Sequence, residues 1–132
     1  MSVFEIDSKN EKKGRRVLVV DDEKMVVDMT CEFLKAAGFE AVSANTTVQA
    51  MSEMKKSPVD VVLLDIKLSG EDGLMFLGKL KKRYPKVSVV ILTAVGYDET
   101  MMRAALRKGA SGYVSKDTEL ENMVAAVKRL LK

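Results

Sequence analysis

The sequence contains no histidine, and its single cysteine, Cys31, has no partner thiol. Disulfides, histidine-based metal sites and Ser-His or Cys-His nucleophiles are thereby excluded. Neither sign of charge dominates: 22 Lys and Arg stand against 19 Asp and Glu, a net +3. That balance argues against direct nucleic-acid binding and against an anionic membrane surface as partner. No apolar stretch approaches the roughly 18 residues that a transmembrane helix needs. The opening segment MSVFEIDSKNEKKGRR also lacks the apolar core of a secretory signal. A soluble, cytoplasmic protein with no membrane partner is expected. The 132 residues suffice for one domain with a sizeable core and are too few for two ordinary ones.

Residues 1–14 are polar and charged without usable periodicity, so they read as a flexible N-terminal extension, and the folded domain is expected over 15–132. RVLVV is a continuous apolar run bounded by charge, the mark of a strand buried on both faces in a parallel sheet. In the helix that follows, Val26, Met29, Thr30, Phe33, Leu34 and Ala37 recur at helical spacing, with Gly38 as the stop. FEAVS is a short strand. Thr46 or Thr47 caps a second helix that runs to about Lys56 and is broken by Pro58. VDVVLLD and VSVVILT are two more apolar strands, separated by the loop IKLSGEDG and a helix over LMFLGKLKKRY that Pro85 terminates. A helix over 98–108, the strand SGYVS and a last helix opened by a Thr118/Glu121 capping box complete the chain. Five strands alternating with five helices make an α/β fold, a doubly wound parallel sheet with helices on both faces.

Ligands of such sheets bind beyond the carboxyl ends of the strands, so the residues there carry the information. They are Asp21 and Asp22 after the first strand, Asp65 after the third, Thr93 after the fourth and Lys116 after the fifth. Taken singly, each has a structural reading: Asp21 or Asp22 can cap a helix, Asp65 can be a solvated strand end, Thr93 a strand former and Lys116 a surface lysine. Their joint occurrence on one edge favours chemistry. Carboxylates brought this close would partly protonate unless a cation joined them, and oxygen-only ligands on a partly open site suit Mg²⁺. Positive charge and hydrogen-bond donors around Asp65 suit phosphoryl transfer, with Asp65 as the nucleophile that forms an acyl phosphate.

The motifs VLVVDDE, VDVVLLDIKLSGEDG, VVILTA and GASGYVSK, in this order and spacing, resemble the receiver domains of two-component response regulators. Single-domain members similar to the chemotaxis regulator are included in the resemblance, which spans residues 15–132. It implies a flavodoxin-like five-stranded sheet of order 2-1-3-4-5. It further implies that Asp65 is the phosphorylation site and that Asp22, Asp65 and the backbone carbonyl of Lys67 hold Mg²⁺, with Asp21 acting through water. Thr93 would bind a phosphoryl oxygen, Lys116 would pair with it, and Tyr113 would turn inward as Thr93 moves. Ala94 stands where the family controls the access of attacking water. The output surface would be the fourth helix, fifth strand and fifth helix. The implied partners are a sensor histidine kinase or phosphotransfer protein and a downstream protein target, with a phosphorylation-dependent dimer as one output. The chain departs from the family's common pattern at Ser69 and at Asp117, both positions where proline is frequent.

A phosphorylation-controlled signalling switch is therefore expected, not a turnover enzyme: the domain assists only its own phosphorylation and dephosphorylation. An aspartyl phosphohydrolase typically needs an acid two residues after its nucleophile, and that position is Lys67. A flavin module of similar topology needs a first loop that cradles phosphate, where DDEK presents anions. No output domain is expected after Lys132, so the switch would act by protein contacts, dimerisation or phosphate relay, unless the chain is a fragment of a longer DNA-binding regulator.

Overall fold

Three apolar runs become central strands because both of their faces are covered. In Arg16–Val20 (β1) and Val61–Asp65 (β3) every residue is buried, and in Ser88–Thr93 (β4) every residue but the first. Glu40–Ala44 (β2) and Gly112–Ser115 (β5) are shorter of apolar residues and lie at the edges. All pairings are parallel and the order is β2-β1-β3-β4-β5, the flavodoxin-like arrangement expected from the sequence. The computed structural model describes residues 15–68, 70–94 and 99–131; the expected extension over 1–14 lies outside the described residues.

Five helices link the strands: Lys24–Ala36 (α1), Thr47–Lys56 (α2), Gly73–Arg83 (α3), Glu99–Arg107 (α4) and Leu120–Leu130 (α5). Alternation along each strand divides the core into two layers. Leu18, Val20, Val62, Leu64, Val89 and Ile91 cluster with Ala50, Leu77 and Met102 of α2, α3 and α4. Val17, Val19, Val61, Leu63, Val90 and Leu92 cluster with Leu34 and Val127 of α1 and α5. Each fully buried aliphatic side chain contributes roughly 1.5–3 kcal/mol, so the middle of the sheet is the most stable part and holds the strand ends rigidly. Among the described residues no helix is long and apolar enough to cross a membrane.

Two local expectations need correction. The buried stripe of α1 is Val27, Thr30, Cys31 and Leu34, whereas Met29 is 53% and Phe33 44% exposed. This helix carries apolar residues on two adjoining stripes, and which one meets the sheet is decided by its docking angle rather than by periodicity. The last helix does not begin with a Thr118/Glu121 box. Its N-cap is Glu119, without a side-chain cap bond, and Thr118 stands one residue before it, in the turn after β5, where its N–H donates to Ser115 O at 3.0 Å. The second helix follows expectation: Thr46 is the N-cap and accepts from the Gln49 N–H at 3.1 Å.

Candidate metal and phosphoryl site

Because all five strands run the same way, their carboxyl ends share one edge, and the backbone ladder fixes what stands there. The Asp21 N–H donates to Ala44 O at 3.1 Å, extending the β1–β2 ladder by one residue. Asp65 is the last residue of β3, opposite Leu92, and Thr93 the last of β4, opposite Ser115. The Lys116 N–H donates to Thr93 O at 2.7 Å, so this lysine leaves the sheet beside the hydroxyl.

The Lys116 ammonium gathers the site. Its Nζ lies 2.8 Å from Asp65 Oδ2, 3.0 Å from Asp21 Oδ2 and 2.5 Å from Glu23 Oε1. Burial alone would lower its pKa, but hydrogen bonds to Asp65, Glu23 and Asp21 outweigh that and raise it, so the ammonium stays charged. The other oxygen of Asp65 accepts from the Lys67 N–H at 2.9 Å, and Asp65 is 5% exposed. Asp21 is fully buried; its Oδ1 accepts from the Glu23 N–H at 3.0 Å, while Oδ2 has no well-aligned donor despite the nearby ammonium. Burial raises the Asp21 pKa above its ordinary 3.8, against the lowering effect of the Glu23 N–H and Lys116.

Asp21, Asp22 and Asp65 each offer a carboxylate oxygen, all within 4.8 Å of one another. Asp21 and Asp65 are buried and Asp22 is exposed, which leaves the site open on one side. Asp21, Glu23 and Asp65 share the Lys116 ammonium, and Asp21 retains an acceptor without an aligned donor. This oxygen-only, anionic set fits a divalent cation of the Mg²⁺ type. The Thr93 Oγ1 is buried and has no hydrogen-bond partner among the described residues. A buried hydroxyl left so costs about 1–3 kcal/mol, which an oxygen acceptor arriving beside Asp65 would recover.

Asp21, Asp65, Thr93 and Lys116, identified from the sequence, thus come together, with Asp22 at the rim. Lys67 follows Asp65 in the β3–α3 loop and is bound to it through its N–H; Ala94 is exposed beside Thr93. Tyr113 lies on the edge strand, opposite Ile91 and 45% exposed. The Lys116–Asp117 peptide is trans. Ser69 lies outside the described residues. Sequence reasoning missed Glu23, which both orients Asp21 through its N–H and binds Lys116. Its signal was adjacency to the two aspartates.

The raised pKa of Asp21 means that the folded state binds this proton more tightly than the unfolded chain. From this group, metal-free stability falls as pH rises from 3.8 through the folded pKa, and falls no further above it. Asp21→Asn, neutral at every pH, is therefore expected to escape this loss, so that the stability gap between the metal-free variant and the wild type shifts in the variant's favour as pH rises from 4 to 7.5. Urea unfolding should show this shift, while the variant loses most of its affinity for Mg²⁺.

Residues 17–128 match the response regulator receiver domain. An NtrX-like response regulator of Rickettsia felis is 37% identical over 115 residues, which cover 86% of this chain and 24% of that protein. The phosphate regulon transcriptional regulatory protein PhoB of Escherichia coli K12 is 34% identical over 121 residues, covering 90% of this chain and 52% of PhoB. This chain thus spans about a quarter to a half of these relatives. Among solved structures, the receiver domain of NtrX from Brucella abortus superposes with a TM-score of 0.82 at 30% identity, over 87% of this chain and 97% of that one. A CheY-like receiver domain protein from Methanospirillum hungatei gives 0.81 at 27% identity, over 89% and 93%.

Proposed function

The chain belongs to the response regulator receiver domain family, and from that membership we propose that it is a phosphorylation-controlled signalling switch whose phosphoacceptor is Asp65. The observation that carries the reading is the convergence on Asp65: Lys116 at 2.8 Å, and two further carboxylates within 4.8 Å. Asp22, Asp65 and the Lys67 carbonyl would hold Mg²⁺, with Asp21 acting through water. When bound, the cation supplies positive charge to the phosphoryl oxygens, which lowers the repulsion that an anionic nucleophile meets.

The chain's own groups do the rest. A carboxylate oxygen of Asp65 bonds to phosphorus as the bond from phosphorus to the donor breaks, leaving an acyl phosphate. The Lys67 N–H and Lys116 fix the carboxylate's orientation beforehand, so little reorganisation accompanies the step. Lys116 then pairs with the phosphoryl group, and the Thr93 hydroxyl turns to donate to it. That movement would open space for Tyr113 to turn inward, altering the surface of α4, β5 and α5.

The donor is a sensor histidine kinase or phosphotransfer protein, and the altered surface meets a downstream protein target or a second copy of the chain, in the cytoplasm. Receiver domains are signalling domains, and this one would act only on its own phosphorylation and dephosphorylation. A second reading, the receiver segment of a longer DNA-binding regulator, is favoured by the share of its relatives that the chain spans. Both readings use the same site.

Incubation of the wild type with acetyl phosphate and Mg²⁺ is expected to add one phosphoryl group by intact mass, and none after chelation of the metal. Beryllofluoride should shift the amide resonances of α4 and β5. A wild type that neither gains mass nor responds to beryllofluoride would overturn the switch.

A further inference from the structure

The loop after Asp65 is tied down sideways by a contact that the phosphoacceptor chemistry does not use. Glu71, half-buried, lies near the end of this loop, and its carboxylate accepts from the N–H of Thr47 at 3.2 and 3.3 Å and from the Thr47 hydroxyl. Thr47 is the first residue of α2, so its N–H is one of the donors that a helix cannot satisfy internally, and a carboxylate there also meets the positive end of the helix dipole. Thr46 takes the Gln49 N–H and Glu71 takes the Thr47 N–H, dividing the donors of the first turn between a local and a remote acceptor.

The loop is also held by the burial of Ile66 and Leu68 in the core on either side of Lys67, and by contacts along its own backbone. The Glu71 N–H donates to Leu68 O at 3.2 Å around Gly70, whose φ of +71° suits glycine. At Gly73 a Cβ would stand 2.2 Å from Ile66 O, so the two ends of the loop press backbone to backbone. Lys67 lies between these constraints, with its N–H on Asp65. The contact from Glu71 to Thr47 hydrogen-bonds this segment to the start of α2, beside the β2–α2 connection that follows Ala44, whose carbonyl accepts from the Asp21 N–H.

We propose that Glu71 is a positioning residue for the cation site. By pinning the β3–α3 loop to the N-terminus of α2, it holds the Lys67 carbonyl where a cation bound by Asp22 and Asp65 can use it. The inference rests on the reading of Lys67 and Asp65 as cation ligands. Oxygen ligands must be held to within about 0.5 Å to be effective, and Glu71 ties the loop to a second element, beyond what the buried Ile66 and Leu68 and the Lys67 N–H bond provide. Cation affinity therefore depends on a contact that contains no ligand atom.

Calorimetric titration of Mg²⁺ into the metal-free protein tests this, together with amide exchange of residues 66–68 measured by NMR before any metal is added. Glu71→Ala is expected to weaken Mg²⁺ binding on the order of tenfold, the low end for groups that orient a ligand, and to speed exchange at the Lys67 amide. Thr47→Val should lose less, since its N–H remains, and Thr47→Ser should match the wild type. The double variant of Thr47→Val and Glu71→Ala should be no weaker than Glu71→Ala alone. Wild-type Mg²⁺ affinity in Glu71→Ala, with only the unfolding midpoint lowered, would make Glu71 a plain helix cap and overturn the proposal. A wild type that takes up no Mg²⁺ overturns the functional reading as well, and is distinguished by the first titration.

Discussion

Asp65→Asn protein incubated with acetyl phosphate and Mg²⁺ is expected to keep its unmodified mass, where the wild type gains one phosphoryl group. The substitution changes charge and hardly changes shape. The amide oxygen can still accept the Lys67 N–H that Asp65 Oδ1 accepts at 2.9 Å, so the loop keeps its anchor. What disappears is the anionic oxygen proposed as the nucleophile, since a neutral amide does not form an acyl phosphate. One carboxylate of the cluster of Asp21, Asp22 and Asp65 is also lost, which lowers affinity for Mg²⁺. The fold should be kept: the ion pair to Lys116 is lost, but Lys116 retains Asp21 and Glu23, and the repulsion that Asp65 exerts on buried Asp21 is removed. Circular dichroism and urea unfolding separate loss of chemistry from loss of fold. A phosphoryl adduct on Asp65→Asn, mapped to Asp22 or elsewhere, would sink the assignment of Asp65.

The parts of this site that were legible in the sequence are those that topology delivers without help from side chains. In a parallel sheet, the residue after an apolar run is placed at the common edge by the backbone ladder alone. Asp21, Asp65, Thr93 and Lys116 could therefore be assembled before any distance was known. The contacts that depend on side-chain reach were not legible. Nothing in the run of three acids after β1 says that Lys116, 93 residues further on, selects Glu23 together with Asp21. The contact between Thr47 and Glu71 joins two loops that are distant in sequence, and either residue alone reads as an ordinary helix-start or turn residue. The face of α1 failed for a related reason. Met29 and Phe33 satisfy the period as well as Val27 and Cys31 do, and only the docked helix distinguishes them.

Arg16→Met is expected to destabilise the protein by about 3 kcal/mol, the lower part of the range for breaking a buried ion pair, and to leave phosphorylation of the folded molecules unchanged. Arg16 opens β1 and is only 5% exposed, an unusual place for a guanidinium. It is tolerated because its donors are matched. Nη1 donates to Ser57 O at 2.8 Å and Glu53 O at 3.0 Å, Nη2 to Glu53 Oε1 at 3.0 Å, and Nε to Glu40 Oε2 at 3.3 Å. The carbonyls of Glu53 and Ser57 belong to the C-terminal end of α2, so the arginine caps that helix from the sheet. Methionine fills the space of the stem and leaves those carbonyls without donors. Glu53 keeps Lys56 at 3.1 Å, which holds the loss to the lower part of the range. Glu40 is 57% exposed, and Glu40→Gln should accordingly cost less than about 1 kcal/mol. Urea unfolding should show the midpoint of Arg16→Met lowered with an unchanged slope. The strand itself separates the two roles. Arg16 and Asp21 stand at opposite ends of β1, about 16 Å apart at the rise of an extended chain. Charge buried at the amino end is balanced and serves stability, whereas charge buried at the carboxyl end is left unbalanced and serves the site. A slowed rate of phosphorylation per folded Arg16→Met molecule would contradict that division, because it would require the two ends of the sheet to be coupled.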